Sequence, residues 1–215
     1  MIKCYFGVPR VGKSTVLVKE YLKNRRHYDH IYTINLQIDG VPMITKSDLE
    51  KYKFTNCLIL WDEITMDADN REYKTFSSDL RDLFILHGHL GIDIIYATQN
   101  FENVDKKVRD LTVELWYMSK SVIPIFRNFT TAKRIYRKIN INEHTSELTL
   151  GYRFCNFWES IFVSNFKIVF RPFYYKYFNT HDELSLKGRC LYEERFKNIY
   201  HSDDASVLNF LNKKC

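Results

Sequence analysis

"MIKCYFGVPRVGKST", residues Met1 to Thr15, decides the fold. It opens on a short apolar run, Met1 to Phe6, which reads as a buried strand stopping at a glycine. Gly7 to Ser14 then fits G-x-x-x-x-G-K-[ST], the pattern of a phosphate-binding loop. Gly7 and Gly12 permit the dihedrals and close approach that turn successive backbone N–H groups toward one anion. Val8, Pro9, Arg10 and Val11 form the loop interior, where Pro9 stiffens the chain and Arg10 adds a movable charge. A helix opening at Lys13 brings free N–H groups, through Ser14 and Thr15, and the positive end of its dipole. Lys13 is a point charge for the β- and γ-phosphates, and the Ser14 hydroxyl is a magnesium ligand. ATP and Mg2+ are therefore the expected cofactors.

The same alternation continues outward. "KSTVLVKEYLKN" suits a helix, and "IYTINLQI", Ile31 to Ile38, alternates like a strand. Asp39-Gly40 is a hairpin signal before "VPMIT". "CLILW", Cys57 to Trp61, and "IDIIYATQ", Ile92 to Gln99, are continuous apolar runs, as in strands buried on both faces. "FSSDLRDLFILHGH" and "NVDKKVRDL" read as helices, and "TVELWYMS" as a further strand. The expected fold is α/β: a P-loop NTPase with a mainly parallel central sheet flanked by helices, through about Ser119. Beyond it, Thr130 to Ile139, Glu147 to Cys155 and Ile161 to Phe170 read as strands with no helix between them. These are expected as antiparallel additions at the C-terminal side, with an aromatic-rich appendage. Residues 1–120 form the ATPase core and 121–215 a strand-rich extension of the same domain. Glu183 to Asn212 reads as mixed helix and loop.

Two strand ends supply the remaining chemistry. "CLILWDE" ends in Asp62 and Glu63. An acid at the end of a neighbouring strand holds Mg2+ in P-loop NTPases, a role for Asp62, and Glu63 can then act as general base on the attacking water. Ligands in open α/β sheets bind at the carboxyl ends of strands, so Gln99 belongs in the same crevice, where its amide can orient water. The catalytic set is Lys13, Glu63 and Gln99, with Ser14 and Asp62 on the metal. A trans-acting arginine has candidates in Arg81 and Arg109.

The chain has 215 residues, 45% of them hydrophobic and 16% aromatic, ample for a packed core. The formal net charge of +6 permits nucleic acid or anionic lipid as a partner without requiring either. Cys4, Cys57, Cys155, Cys190 and Cys215 form no C-x-x-C pair, which fits a reducing cytoplasm. His87 and His89 are too close in sequence to share a helix face and do not read as metal ligands. The acids around Asp67, Asp69 and Glu72 read as a solvated loop. Lys120, Arg127, Lys133, Arg134, Arg137 and Lys138, interleaved with Phe126, Phe129 and Tyr136, form a basic strip without acids. That composition suits a nucleic-acid backbone with stacking platforms, or an anionic membrane surface. "IFVSNFKIVF" falls well short of the ~20 apolar residues of a membrane span.

"MIKCYFGVPRVGKST", "CLILWDEI" and "GHLGIDIIYATQNFENVDKKVRDL" together resemble the ATPase domain of the zonular occludens toxin (Zot)-like family, which includes filamentous-phage assembly ATPases. "PFYYKYFNTHDE", Pro172 to Glu183, is similar to the aromatic-rich end of such domains. The resemblance implies an ATPase akin to the FtsK–HerA class, ring-forming, acting on DNA or virion components in assembly or extrusion. It implies a nucleotide site at Gly7, Gly12, Lys13, Ser14, Asp62, Glu63 and Gln99. Family members often carry an Arg-His pair where this chain has His87-Gly88-His89, so Gly88 supplies no cation. Filamentous-phage members usually continue through a membrane helix. None is read here, and a separate membrane protein is the expected partner, with the chain cytoplasmic and peripheral at the inner membrane. Genome packaging for another virus type and phosphoryl transfer to a small acceptor, as in P-loop kinases, share the loop and the magnesium acid.

Overall fold

A computed structural model describes residues 1–67, 78–121, 124–141, 148–156, 158–159 and 165–178, all within one unit, Met1–Thr180. β1 (Ile2–Phe6) runs into the glycine loop and α1 (Lys13–Asn24). β2 (His30–Ile34), α2 (Lys46–Lys51), β3 (Cys57–Trp61), α3 (Ser78–Leu86), β4 (Asp93–Thr98), α4 (Lys106–Leu111) and β5 (Glu114–Lys120) follow. β6 (Phe129–Ile141), β7 (Leu148–Phe154) and β8 (Phe166–Phe170) come next, and a 3-10 turn, Arg171–Tyr177, leads to Phe178, which bridges to Ile38.

The sheet order is β2-β3-β4-β1-β5-β6-β7, with β8 also on β6. β2, β3, β4, β1 and β5 are mutually parallel. β6 is antiparallel to β5, and β7 and β8 are antiparallel to β6. β8 pairs with Phe129 to Lys133 and β7 with Ile135 to Ile141, so the two lie end to end along one side of β6. The parallel order has one consequence for function. β4 sits between β1 and β3, with Phe6 level with Thr98 and Trp61 level with Tyr96. Three strands therefore stop on one edge, and the residues after them are Gly7, Gln99 and Asp62.

The period-2 alternation of strands sorts side chains onto two faces. One face buries Ile2, Cys4, Ile59, Trp61, Ile94 and Tyr96 against Leu80 and Phe84 of α3 and Val108 of α4. The other buries Tyr5, Leu58, Leu60, Ile95 and Trp116 against Val16 and Leu17 of α1. β3 is buried along its whole length, as its unbroken apolar run requires. Among the described residues, no helix is long and apolar enough to cross a membrane.

Two expectations change. The strand expected to reach Ile38 stops at Ile34, because Asn35 takes the left-handed region at φ +56° and redirects the chain. Asp39-Gly40 does form a turn, with Val41 N–H donating to the Ile38 carbonyl at 3.1 Å. Its arms form no hairpin: Met43 returns beside Thr33 in a parallel bridge, while Leu36 and Ile38 bury themselves in the α1-side core. Secondly, β8 covers only the second half of the strand expected from Ile161; residues 161–164 and 183–212 lie outside the described residues.

Candidate active site

β1 delivers Gly7 to the edge, where its N–H donates to the Thr98 carbonyl of β4 at 3.3 Å. A Cβ there would lie 2.5 Å from the Met118 carbonyl oxygen of β5, so only glycine lets the loop start this close to the sheet. Val8, Pro9 and Arg10 are exposed at the tip, and Val11 turns inward, fully buried. Gly12 caps α1 at φ +97° without a side-chain cap, and the first helical bond runs from Val16 N–H to the Gly12 carbonyl. The N–H groups of Lys13, Ser14 and Thr15 thus belong to the set a helix leaves for an anion.

Lys13 is 8% exposed. Its ammonium donates to the Gly7 carbonyl at 3.0 Å and faces the Val8 carbonyl at 3.5 Å. Burial lowers its pKa, and the charges of Glu63 and Asp62 oppose that shift. The Ser14 hydroxyl donates to Asp62 Oδ2 at 2.5 Å. Asp62 Oδ1 accepts from the Glu63 N–H at 3.1 Å, and Asp62 N–H donates to the Ile34 carbonyl at 2.9 Å. Burial pushes the Asp62 pKa upward, with the Ser14 bond pulling the other way. A hydroxyl and a carboxylate in contact are hard oxygen donors of the kind Mg2+ takes beside phosphate oxygens.

Glu63 stands in the left-handed region at φ +47°, ψ +59°, a conformation that costs a non-glycine residue about 1–3 kcal/mol. Its Oε1 accepts from the Thr65 hydroxyl at 2.8 Å and the Gln99 N–H at 3.2 Å. The acid after β3 is thereby tied to the end of β4. Gln99 is exposed at the crevice, beyond the buried Thr98. Lys13, Ser14, Asp62, Glu63 and Gln99 converge as their strand-end positions imply.

Other residues fall elsewhere. Arg81 is exposed and pairs with its neighbour Asp82 at 3.1 Å. Arg109 lies near the end of α4, whose last carbonyls accept from Arg137, beside the sheet edge where the parallel strands begin. Asp67 departs from a solvated acid: its Oδ2 accepts from Asn35 at 2.7 Å and Trp61 Nε1 at 3.0 Å, fastening the segment after Glu63. Asp69 and Glu72 lie outside the described residues.

The basic strip also changes. Alternation along β6 sends Lys133 and Arg137 to one face and Arg134 and Tyr136 to the other. Arg137 donates to the Asp110 carbonyl at 2.9 Å, and Arg134 pairs with Glu114 at 3.7 Å and lies over the Tyr136 ring. The strip is not one surface. Sequence reasoning missed Thr130 of β6 and Arg171, just after β8, which touch the phosphate loop from far along the chain.

The family profile described as Zonular occludens toxin (Zot) matches residues 18–153, more than half of the chain. The matched span begins within α1, after the phosphate loop, and contains Asp62, Glu63 and Gln99. Among solved structures, the N-terminal domain of zonular occludens toxin from Neisseria meningitidis is 15% identical with a TM-score of 0.52, covering 83% of this chain and 98% of that one. That is a likeness of fold. The genome packaging NTPase of Sulfolobus turreted icosahedral virus 2, solved with AMPPCP, is 10% identical with a TM-score of 0.44, covering 69% of this chain and 95% of its own. The flagellar accessory protein FlaH from Methanocaldococcus jannaschii is 13% identical with a TM-score of 0.45, covering 72% and 89%. No curated protein matches the chain significantly.

Proposed function

This chain belongs to the zonular occludens toxin (Zot) family, and we propose that it is an ATP-hydrolysing motor for virion assembly or extrusion. The observation that supports this reading most is the direct contact of Ser14 with Asp62, beside a Glu63 tethered to the Gln99 backbone. Loop N–H groups and Lys13 bind the phosphates, with the Lys13 ammonium leaving the loop carbonyls for the β/γ-phosphates. Ser14 and Asp62 would hold Mg2+, which would supply charge neutralisation to the phosphates. Glu63 takes a proton from the attacking water, and its strained backbone and Thr65 partner fix the carboxylate for that task. The Gln99 amide orients the same water.

The motor works as a homo-oligomeric ring on DNA or virion proteins, cytoplasmic and peripheral at the inner membrane through a separate membrane partner. The test is phosphate release from ATP by the purified chain, with and without single-stranded DNA. Release is expected to require Mg2+ and to fall by about 100-fold or more in Lys13→Ala, as for loss of a phosphate-positioning charge. Equal release by Lys13→Ala refutes the site. Transfer of the γ-phosphate to a nucleoside or sugar, with no release to water, replaces the motor with a kinase.

A further inference from the structure

The antiparallel strands beyond β5 read in the sequence as an addition to the edge of an ATPase. Their contacts run instead to the phosphate loop and its helix. Thr130 of β6 is fully buried, and its hydroxyl donates to the Val11 carbonyl at 2.6 Å. The Thr130 oxygen also lies 3.3 Å from where a Gly12 Cβ would be. Arg171, the residue after β8, lays its stem on the same glycine: its Cδ is 2.7 Å from that Cβ position. Arg171 is itself fixed, with its N–H on the Asn128 carbonyl at 3.0 Å and Nη2 on the Arg127 carbonyl at 2.5 Å. About two turns into α1 the grip continues. Lys19 donates to the Ile168 carbonyl at 3.2 Å. Lys167 donates to Glu20 Oε1 at 2.8 Å and to the Tyr5 hydroxyl at 2.7 Å.

We propose that β6 and β8 clamp the phosphate loop, with Thr130 and Arg171 as positioning residues for nucleotide binding. Val11 and Gly12 form the hinge between the exposed loop tip and the helix N–H groups. The loop tip is exposed and α1 has no side-chain cap of its own, so the loop's alignment rests on contacts from outside it. Holding the Val11 carbonyl and filling the space over Gly12, both from the side where a Gly12 Cβ would lie, keeps those N–H groups aimed at one point. The clamp preorganises the loop and so acts on affinity. It touches neither Glu63 nor Gln99, so the hydrolytic step is untouched. The inference rests on the loop being the nucleotide site, and its test keeps the two claims apart.

Thr130→Val, Thr130→Ser and Arg171→Ala are compared with the wild type by amide hydrogen exchange over residues 7–13 and by titration with a fluorescent ATP analogue. Thr130→Val keeps the shape and removes the hydroxyl. It is expected to speed exchange in the loop alone, to weaken nucleotide binding by about tenfold, the effect of losing one buried hydrogen bond, and to leave kcat within about twofold. Thr130→Ser restores both readings, and Arg171→Ala speeds loop exchange as Thr130→Val does. Wild-type exchange in the loop of Thr130→Val overturns the clamp, as does a change spread evenly over the sheet. Should the wild type bind no nucleotide, the ATPase reading falls, and the exchange comparison alone still decides the clamp.

Discussion

Glu20 is 3% exposed on the sheet side of α1, yet it stays ionised. Burial pushes its pKa up, but the charges of Lys167 and Lys3 and hydrogen bonds from Lys167 and Tyr5 outweigh it and bring the carboxyl down to about 2. A depressed carboxylate contributes stability that is complete above its unfolded value near 4.5 and is lost as pH falls through about 2. The Glu20 share is on the order of 3 kcal/mol. Burial also lowers the Lys167 pKa, so the pair contributes less than Glu20 alone. Glu20→Gln should destabilise the protein at pH 7, by about 3–5 kcal/mol if Lys167 is left buried without a counter-charge. Thermal melts at pH 7, 4.5, 3.5 and 2.5 check this: the gap to wild type closes as pH falls, and a constant gap contradicts it. At this scale the sequence was legible wherever chemistry sits in a contiguous motif: Lys13, Ser14, Asp62 and Glu63 follow from local spacing. Thr130 was not legible, because its partner Val11 lies 119 positions away and a threonine in a strand looks like any other.

β4 is the element that makes the site. Inserted between β1 and β3, it brings Gln99 between the loop and the acids and lends the Thr98 carbonyl to Gly7. Apolar runs and strand–helix alternation revealed each of these strands, since burial on both faces leaves a continuous hydrophobic signature. Pairing order and the fate of Asp39-Gly40 were hidden, because they depend on where Leu36 and Ile38 find a core rather than on the turn. The basic strip failed for a related reason: composition ignores the alternation that divides β6 between two faces. β5 backs the loop so closely that Gly7→Ala must push against the Met118 backbone. It should cost about 1–3 kcal/mol and lower the melting temperature by about 2–12 °C, with nucleotide binding lost. An unchanged melting curve would show that β5 yields to the added methyl.

At the scale of the whole molecule, a seven-strand path with β8 beside it joins the parallel core to the antiparallel extension in one sheet. Thr130, Arg171 and Lys167 are the side chains that join the phosphate loop and α1 to β6 and β8. On the proposed ring, an arginine from a neighbouring subunit would complete the site. Native mass with ATP should show an assembly, and Arg81→Ala or Arg109→Ala should keep that assembly while losing about 10³-fold in turnover if it is the finger. A fully active monomer contradicts the trans arrangement. On the proposed reading, β1, β3 and β4 build one hydrolytic site, with Glu63 serving the water and not the nucleotide. Its most direct test is Glu63→Gln, followed by single-turnover ATP hydrolysis alongside nucleotide titration. Binding should stay within about threefold of wild type while hydrolysis slows by about 10²–10⁴-fold. Hydrolysis at the wild-type rate, with binding intact, contradicts this reading.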